Sequence, residues 1–330
     1  MTPAQLRAFL TVVRTGSVRA AAGELVVTQP AVSAAVTALQ RELSVSLLAR
    51  EGRGVTITTA GEVLADYAER ILGLWDEAPR ATRGAAEPGR GTLHLAAVTT
   101  AGEQVVPSLL ASFRRRHPAV EIILEVGNRQ RVWDLLRSHS ADLAVGGRPP
   151  AGTDLKAVAT APNELVVVCA AAHSDSPRGG PPKRHCRLVT VEDLAERTWL
   201  VREPGSGTRS TAEELFAELG LEPSRLTIGS NGAIREAAVA GLGLALLSRT
   251  AVNRELDEGS LEEWQTGPLP LRRSWNLVMR REARLVAAAE LFYDHVRYSA
   301  SGWTTIDETG VLSRPRVPQG AATPSPENER

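Results

Sequence analysis

The chain has 330 residues, enough for two or three cores at about 100–200 residues per domain. Its 38 basic and 38 acidic residues cancel, which excludes a globally basic nucleic-acid binder and leaves a locally basic one open. A hydrophobic share of 43% and a charged share of 23% place it among ordinary globular chains rather than disordered ones.

All but two of the basic residues are arginine, the exceptions being Lys156 and Lys183. The two cysteines, Cys169 and Cys186, are too few for a disulfide framework and lack metal-ligand spacing, so they are expected to be free thiols. The opening MTPAQLRAFL carries no basic segment ahead of an unbroken apolar core, so no secretory signal is expected there. No run approaches the roughly 18 apolar residues that span a bilayer. The expected location is the cytoplasm.

In chain order, Leu6, Phe9, Leu10 and Val13 recur at helical spacing and give a first helix one apolar face, closed by Thr15-Gly16. Ser17 can cap a second helix from Val18 to Leu25. Thr28 can cap a third, with Pro30 in its first turn, where proline is tolerated. Val32, Val36, Leu39 and Leu43 form the buried stripe of that helix, so Gln29, Ser33 and Thr37 face outward. A short helix, a tight turn and a second helix with small polar groups outside is a geometry that enters a major groove. Gln29 could pair with adenine, and Ser33 could donate to a base or a phosphate. With Ser17, Arg19, Thr28, Pro30 and Thr37, these are the candidate DNA contacts of the two helices. Small helical trios also pack for purely structural reasons, so the pattern alone leaves both readings open.

Residues 59–85 carry one long helical pattern that runs into the Pro/Gly-rich linker APRATRGAAEPGRG. Leu64, Tyr67, Ile71, Leu74, Ala78 and Ala81 fall in alternating steps of three and four, a heptad seam. The seam either packs on the chain's own head or pairs with a second copy through Leu64, Tyr67, Ile71 and Leu74. Pairing would set two recognition helices on successive grooves.

From Thr92 to about Arg297, strand-like runs alternate with amphipathic helices, as in βαβ units. Strands are expected at 93–98, 121–126, 142–145 and 155–161. Helices are expected at 103–116, with Pro107 awkwardly early in it, and at 128–138. A second half opens at 164–170 after Pro162, with a helix at 208–219, a strand near Ile228, a helix at 233–240 and a strand at 243–247. A strand at 275–279 and a helix at 283–297 return to the first half. This describes two α/β lobes joined by two crossing strands, the architecture of periplasmic binding proteins. The expected divisions are 1–58 for the DNA reader, 59–91 for the linker helix and hinge, and 92–298 for the two lobes. The first lobe takes about 92–161 and 268–298, the second about 162–267. Residues 299–330, rich in proline and polar groups, are expected to be a disordered tail.

Ligands in open α/β sheets bind beyond the carboxyl ends of strands. There the chain places Thr99-Thr100, Gly127-Asn128, Gly205-Ser206-Gly207-Thr208 and Ser230-Asn231-Gly232, each offering a side-chain cap and free N–H groups at a positive helix end. Such termini converging on one cleft would favour an anion, although ordinary capping needs no ligand. In REPGSGTR (202–209), Arg202 and Arg209 could supply the planar fork that suits phosphate or sulfate. The candidate effector residues are therefore Thr99, Thr100, Asn128, Arg202, Ser206, Gly207, Thr208 and Asn231. The six histidines are scattered, and GSGT lacks the lysine of a nucleotide-binding loop, so an enzyme is not expected. A pure solute-binding protein fits the second half but leaves the N-terminal reader without a role.

The strings TGSVRAAAGELVVTQPAVS (15–33) and REGRGVTITTAG (50–61) closely resemble the LysR-type winged helix-turn-helix, and the resemblance runs through residues 1–80. It implies a wing in which Arg50 and Arg53 approach the DNA backbone or minor groove. Three positions depart from the pattern: Ala34 stands where a basic residue often follows, Ser44 replaces a frequent glycine, and Leu48 a frequent phenylalanine. GNRQRVWDLL (127–136), REPGSGTR and SNGAIREAAVAGLGLALLS (230–248) resemble the branch that holds Calvin-cycle and cysteine/sulfite-type regulators. The resemblance implies an α+β chain that senses a small anionic metabolite and needs no cofactor or metal. The implied partners are double-stranded DNA at an interrupted palindrome in a promoter, other copies of the chain as a dimer or tetramer, and RNA polymerase, with no membrane.

Overall fold

In the computed structural model the described residues are 1–52, 54–87, 89–171, 186–306 and 312–313. Helix α1 (Pro3–Thr15) starts in a capping box, with the Thr2 hydroxyl accepting from Gln5 N and the Gln5 side chain accepting from Thr2 N. It ends on Gly16 in the left-handed conformation. Helices α2 (Val18–Glu24) and α3 (Gln29–Leu43) meet at 112° and are capped by Ser17 and Thr28. Strands β1 (Leu48–Glu51) and β2 (Gly54–Ile57) form an antiparallel wing. Leu6, Phe9, Val12, Val32, Val36, Leu39 and Leu47 fill the head's core, and α4 (Thr59–Ala86) closes it with Ala68 and Leu72.

The next elements are β3 (Gly91–Val98), α5 (Thr99–Gln104), α6 (Val106–Arg116), β4 (Val120–Gly127), α7 (Arg129–Arg137), β5 (Leu143–Gly146) and β6 (Leu155–Ala170). After the break in the described residues come β7 (Cys186–Leu188), α8 (Val191–Ala195), β8 (Trp199–Val201), α9 (Gly207–Leu219), β9 (Arg225–Thr227), α10 (Asn231–Val239), β10 (Leu244–Ser248), α11 (Arg249–Glu258) and β11 (Leu261–Gln265). The chain then returns through β12 (Leu271–Arg280) and α12 (Ala287–Ser299) to β13 (Thr304–Ile306) and β14 (Leu312–Ser313). The main sheet runs β4-β3-β5-β12-β6-β10-β8-β9. β3, β4 and β5 are parallel in one lobe, and β8, β9 and β10 in the other. β6 and β12 pair antiparallel and pass through both. Each sheet is buried on both faces by its own pair of apolar clusters, as crossover helices require.

Several expected elements change. The single helix at 103–116 is two, broken at Val105, so Pro107 falls in the first turn of α6, where its missing N–H costs nothing. The runs at 155–161 and 164–170 are one 16-residue strand passing through Pro162. The helix of residues 59–85 continues through Pro79 to Ala86. Within the stretch 299–330, expected to be disordered, residues 307–311 and 314–330 lie outside the described residues, whereas Thr304 and Thr305 stand opposite Thr160 and Ala159 on β6. Backbone pairing with an existing strand orders these residues without any apolar periodicity of their own. Helices α8 and α11 and strands β7, β8 and β11 had no counterpart among the expected elements.

Lobe one grips α4 through buried charge. Arg80 donates two hydrogen bonds of 3.2 Å to the Asp142 carboxylate, which also accepts from His94 N at 2.8 Å. Arg280 donates to the carbonyls of Leu136 and Ala141 and to Glu77, which is itself 2.8 Å from His139 Nδ1. Burial pulls the Arg280 pKa down, and Glu77 and Asp142 oppose that pull. At Gly73 a Cβ would lie 1.6 Å from the Ser138 carbonyl, so no other residue allows this approach of helix to lobe.

Candidate functional site

The head presents Gln29, Pro30, Ser33, Thr37 and Arg41 along the exposed face of α3. Thr28 Oγ1 accepts from Ala31 N and Ser17 Oγ from Ala20 N, so both hydroxyls fix helix starts, and Arg19 stands exposed on α2. Arg50 is exposed on the wing opposite Val55, and the wing is tied to the end of α1 by Val55 N donating to Gly16 O. Arg53 lies outside the described residues. Val26 and Ser44 both take positive φ, 55° and 56°, a region costly for a β-branched side chain. The conformation at 44 explains why glycine suits that position.

The seam on α4 divides. Leu64 and Ile71 pack partly into the head's own core, whereas Tyr67 is 56% and Leu74 48% exposed. Val63 and Trp75, absent from the expected seam, are 58% and 59% exposed beside them. An apolar groove of about 410 Å³ opens alongside, bounded by Leu43, Val45, Leu47, Val63, Tyr67 and Ile71.

A cavity of about 770 Å³ lies between the lobes, within the range of roughly 300–1,000 Å³ usual for small-molecule sites. All eight candidate effector residues line it: Thr99, Thr100, Asn128, Arg202, Ser206, Gly207, Thr208 and Asn231. They come from four helix starts in both lobes, because each helix follows a strand whose carboxyl end faces the crossover. The lobes touch there: Asn231 Nδ2 donates to Thr100 Oγ1, while Asn231 Oδ1 is buried without a partner. At Gly205, φ is 86° and a Cβ would lie 3.5 Å from Asn128 Nδ2.

Two expectations about side chains are corrected. Asn128 and Ser230 do cap α7 and α10, but neither α5 nor α9 has a side-chain cap, which leaves the first N–H groups of α9 available. Arg202 and Arg209 do not make a joint fork. Arg202 binds Glu203 through Nε and Nη2 at 2.7 and 2.8 Å and so holds that carboxyl below the usual carboxylate range. Arg209 turns to Glu213 and to the Arg202 carbonyl.

The charge comes instead from residues not anticipated: Arg129, Arg148, Arg272 and Arg273 also line the cavity. Arg273 pairs with Glu214 at 2.9 Å, the one acidic residue among the described lining. Arg129 donates to the Arg148 carbonyl, and among the described residues Arg129, Arg148 and Arg272 have no carboxylate partner. The cavity therefore carries net positive charge. No group of described residues could hold a metal ion, and no single described helix is long and apolar enough to cross a membrane.

A helix-turn-helix head, a long connecting helix and two lobes around a basic cavity define a ligand-responsive transcription regulator. The chain belongs to the LysR family: residues 3–62 match the bacterial regulatory helix-turn-helix protein family of LysR, and 86–301 the LysR substrate binding domain. It is similar to the RuBisCO operon transcriptional regulator of Allochromatium vinosum, 35% identical over 298 residues that cover 90% of this chain and 96% of the relative. That likeness lies in the carbon-fixation branch of the family. The crystal structure of CbnR, a LysR family transcriptional regulator, shares the fold with a TM-score of 0.64 at 23% identity, over 90% of this chain and 98% of the other. The regulatory domain of CcmR from Synechocystis PCC6803, in complex with 2-PG, matches 62% of this chain and 94% of its own length at 28% identity, with a TM-score of 0.53. The chain is thus a DNA-binding regulator with a small-molecule effector domain and not an enzyme.

Proposed function

We propose that this regulator answers to a small organic anion, bearing a phosphate or carboxylate, held in the inter-lobe cavity. The observation that carries this reading is the trio Arg129, Arg148 and Arg272, none with a carboxylate partner among the described residues, lining one cavity with the uncapped start of α9. Guanidinium groups without a carboxylate partner and free helical N–H groups both favour an anion. The 2-PG complex of the CcmR regulatory domain supports the same class of ligand. Effector binding works by differential affinity for two arrangements of the lobes, which β6 and β12 join. No cofactor is needed for this.

The regulator acts in the cytoplasm as a dimer, assembled into a tetramer, on an interrupted palindrome in promoter DNA, where it contacts RNA polymerase. Exposed Val63, Tyr67, Leu74 and Trp75 on one helix supply an apolar surface for self-pairing. Footprinting on the intergenic DNA beside the chain's own gene, with and without a panel of phosphorylated and carboxylated metabolites, tests the reading. The footprint is expected to change in extent with at least one anion. A footprint identical with every anion, together with no heat of binding in calorimetry, would sink it.

A further inference from the structure

Among the described residues, every one around the cavity except one lies between Val98 and Asn276, within the two lobes. The exception is Ile306, which arrives from the far end of the chain. After α12 the backbone turns at Gly302, with φ 83°, and Trp303 packs against the core of lobe one. Thr304 and Thr305 then pair with Thr160 and Ala159 of β6, two residues short of Pro162, where that strand leaves lobe one. Thr305 is buried, and alternation along the strand turns Thr304 and Ile306 to the opposite face. Thr160, opposite Thr304, itself lines the cavity and donates from Oγ1 to the Trp275 carbonyl at 3.0 Å. The strand is thus held by a tryptophan packed against the core of lobe one and by backbone pairing on a crossing strand.

We infer that β13 is a wall of the effector cavity and that Ile306 sets the size of ligand the cavity admits. The inference rests on the reading of this cavity as the effector site. The cavity's arginines supply charge recognition, which does not distinguish a small organic anion from a larger one. Discrimination by size needs an apolar wall that cannot yield, and Ile306 is one of the few apolar residues in a largely polar lining, with Val98, Ala157, Leu165 and Trp275. A β-branched side chain on a paired strand is stiff, which suits that role.

Calorimetry on the full-length protein tests this with three probes: inorganic phosphate, 3-phosphoglycerate and fructose 1,6-bisphosphate. The Ile306→Ala variant is expected to shift the ratio of affinities toward the largest probe by about tenfold or more, the effect of removing apolar bulk from a specificity pocket. Ile306→Trp is expected to weaken the larger probes while inorganic phosphate binds as before, and Ile306→Leu to restore the parent ranking. Melting temperatures of all three variants establish that they fold, and the opposed Ala and Trp changes separate a wall from a general loss of structure. If the parent protein binds at least one probe and the ranking is the same in every variant, the inference is overturned and the anion reading stands. If the parent protein binds none of the three, the anion reading itself fails for these classes and the inference falls with it.

Discussion

The two surfaces that face ligands are built in opposite ways. The outer face of α3 is small, polar and almost uncharged, with Gln29, Ser33 and Thr37 open to solvent and Arg41 at its end. The inter-lobe cavity gathers five arginines from separate segments and restrains two of them with Glu203 and Glu214. A surface that reads base edges gains from short side chains that approach closely, and can leave phosphate neutralisation to flanking arginines. An enclosed site has no such flanks, so charge must be built into its walls and held there by internal pairs.

The charged anchor that seats α4 on lobe one should give the largest effect. Asp142→Ala leaves Arg80 buried beside an uncapped His94 N–H, and is expected to destabilise the protein by about 3–5 kcal/mol in urea unfolding. A loss under 1 kcal/mol would mean that the helix–lobe contact is not held by charge. Next comes Arg272→Ala, which removes a cavity guanidinium without a carboxylate partner. It should weaken binding of an anionic effector about tenfold or more, at roughly 1.5–3 kcal/mol for a charged hydrogen bond. On the head, Arg50→Ala should lower DNA affinity several-fold and reduce the slope of log affinity against log salt by about 1, with little dependence on sequence. An unaltered slope would remove the wing from the account. The smallest effect is Ser44→Gly, which relieves a left-handed serine and should raise stability by roughly 0.5–1 kcal/mol by thermal unfolding.

A pH titration separates lobe one from the head. Burial and the neighbouring Arg116, His117 and Arg115 hold His295 down to about 4 from its ordinary value near 6.5. Ser112 Oγ lies 2.7 Å from its Nε2. The folded state keeps this ring neutral while the unfolded chain takes up a proton, so stability falls as pH drops from about 6.5 toward 4. Lobe one should lose stability over that window, and His295→Gln should flatten the loss. Equal pH profiles for the parent and the variant would assign the acid sensitivity elsewhere.

The head was readable because its signals are local. Ser17 and Thr28 cap helices that begin one residue later, and Leu6, Phe9 and Val12 point to a core that neighbouring turns complete. The lobes' helix starts were readable for the same reason, and Asn128 and Asn231, at two of those starts, line the cavity. Arg148 and Arg272 carried no such signal. They stand in irregular or crossing segments, and only the pairing of β6 with β12 and the closure of two lobes bring them to one space. Arg202 and Arg209 suggest a fork because they stand seven positions apart on one loop and helix, but each guanidinium is taken up by a neighbouring carboxylate, Glu203 or Glu213. Thr304–Ile306 shows the limit plainly: three residues have no period, and their strand exists because β6 offers an edge.

Glycine 73 gives the long helix an unusual mechanical character. With 28 residues at 1.5 Å rise, α4 is about 42 Å long. Its far half is seated against lobe one by Gly73, Glu77 and Arg80, and its near half closes the core of the head. A beam clamped at both ends transmits angle without absorbing it. A tilt of ~5° at the lobe becomes ~3–4 Å at the reading head over that length, comparable to one base-pair step along the DNA axis.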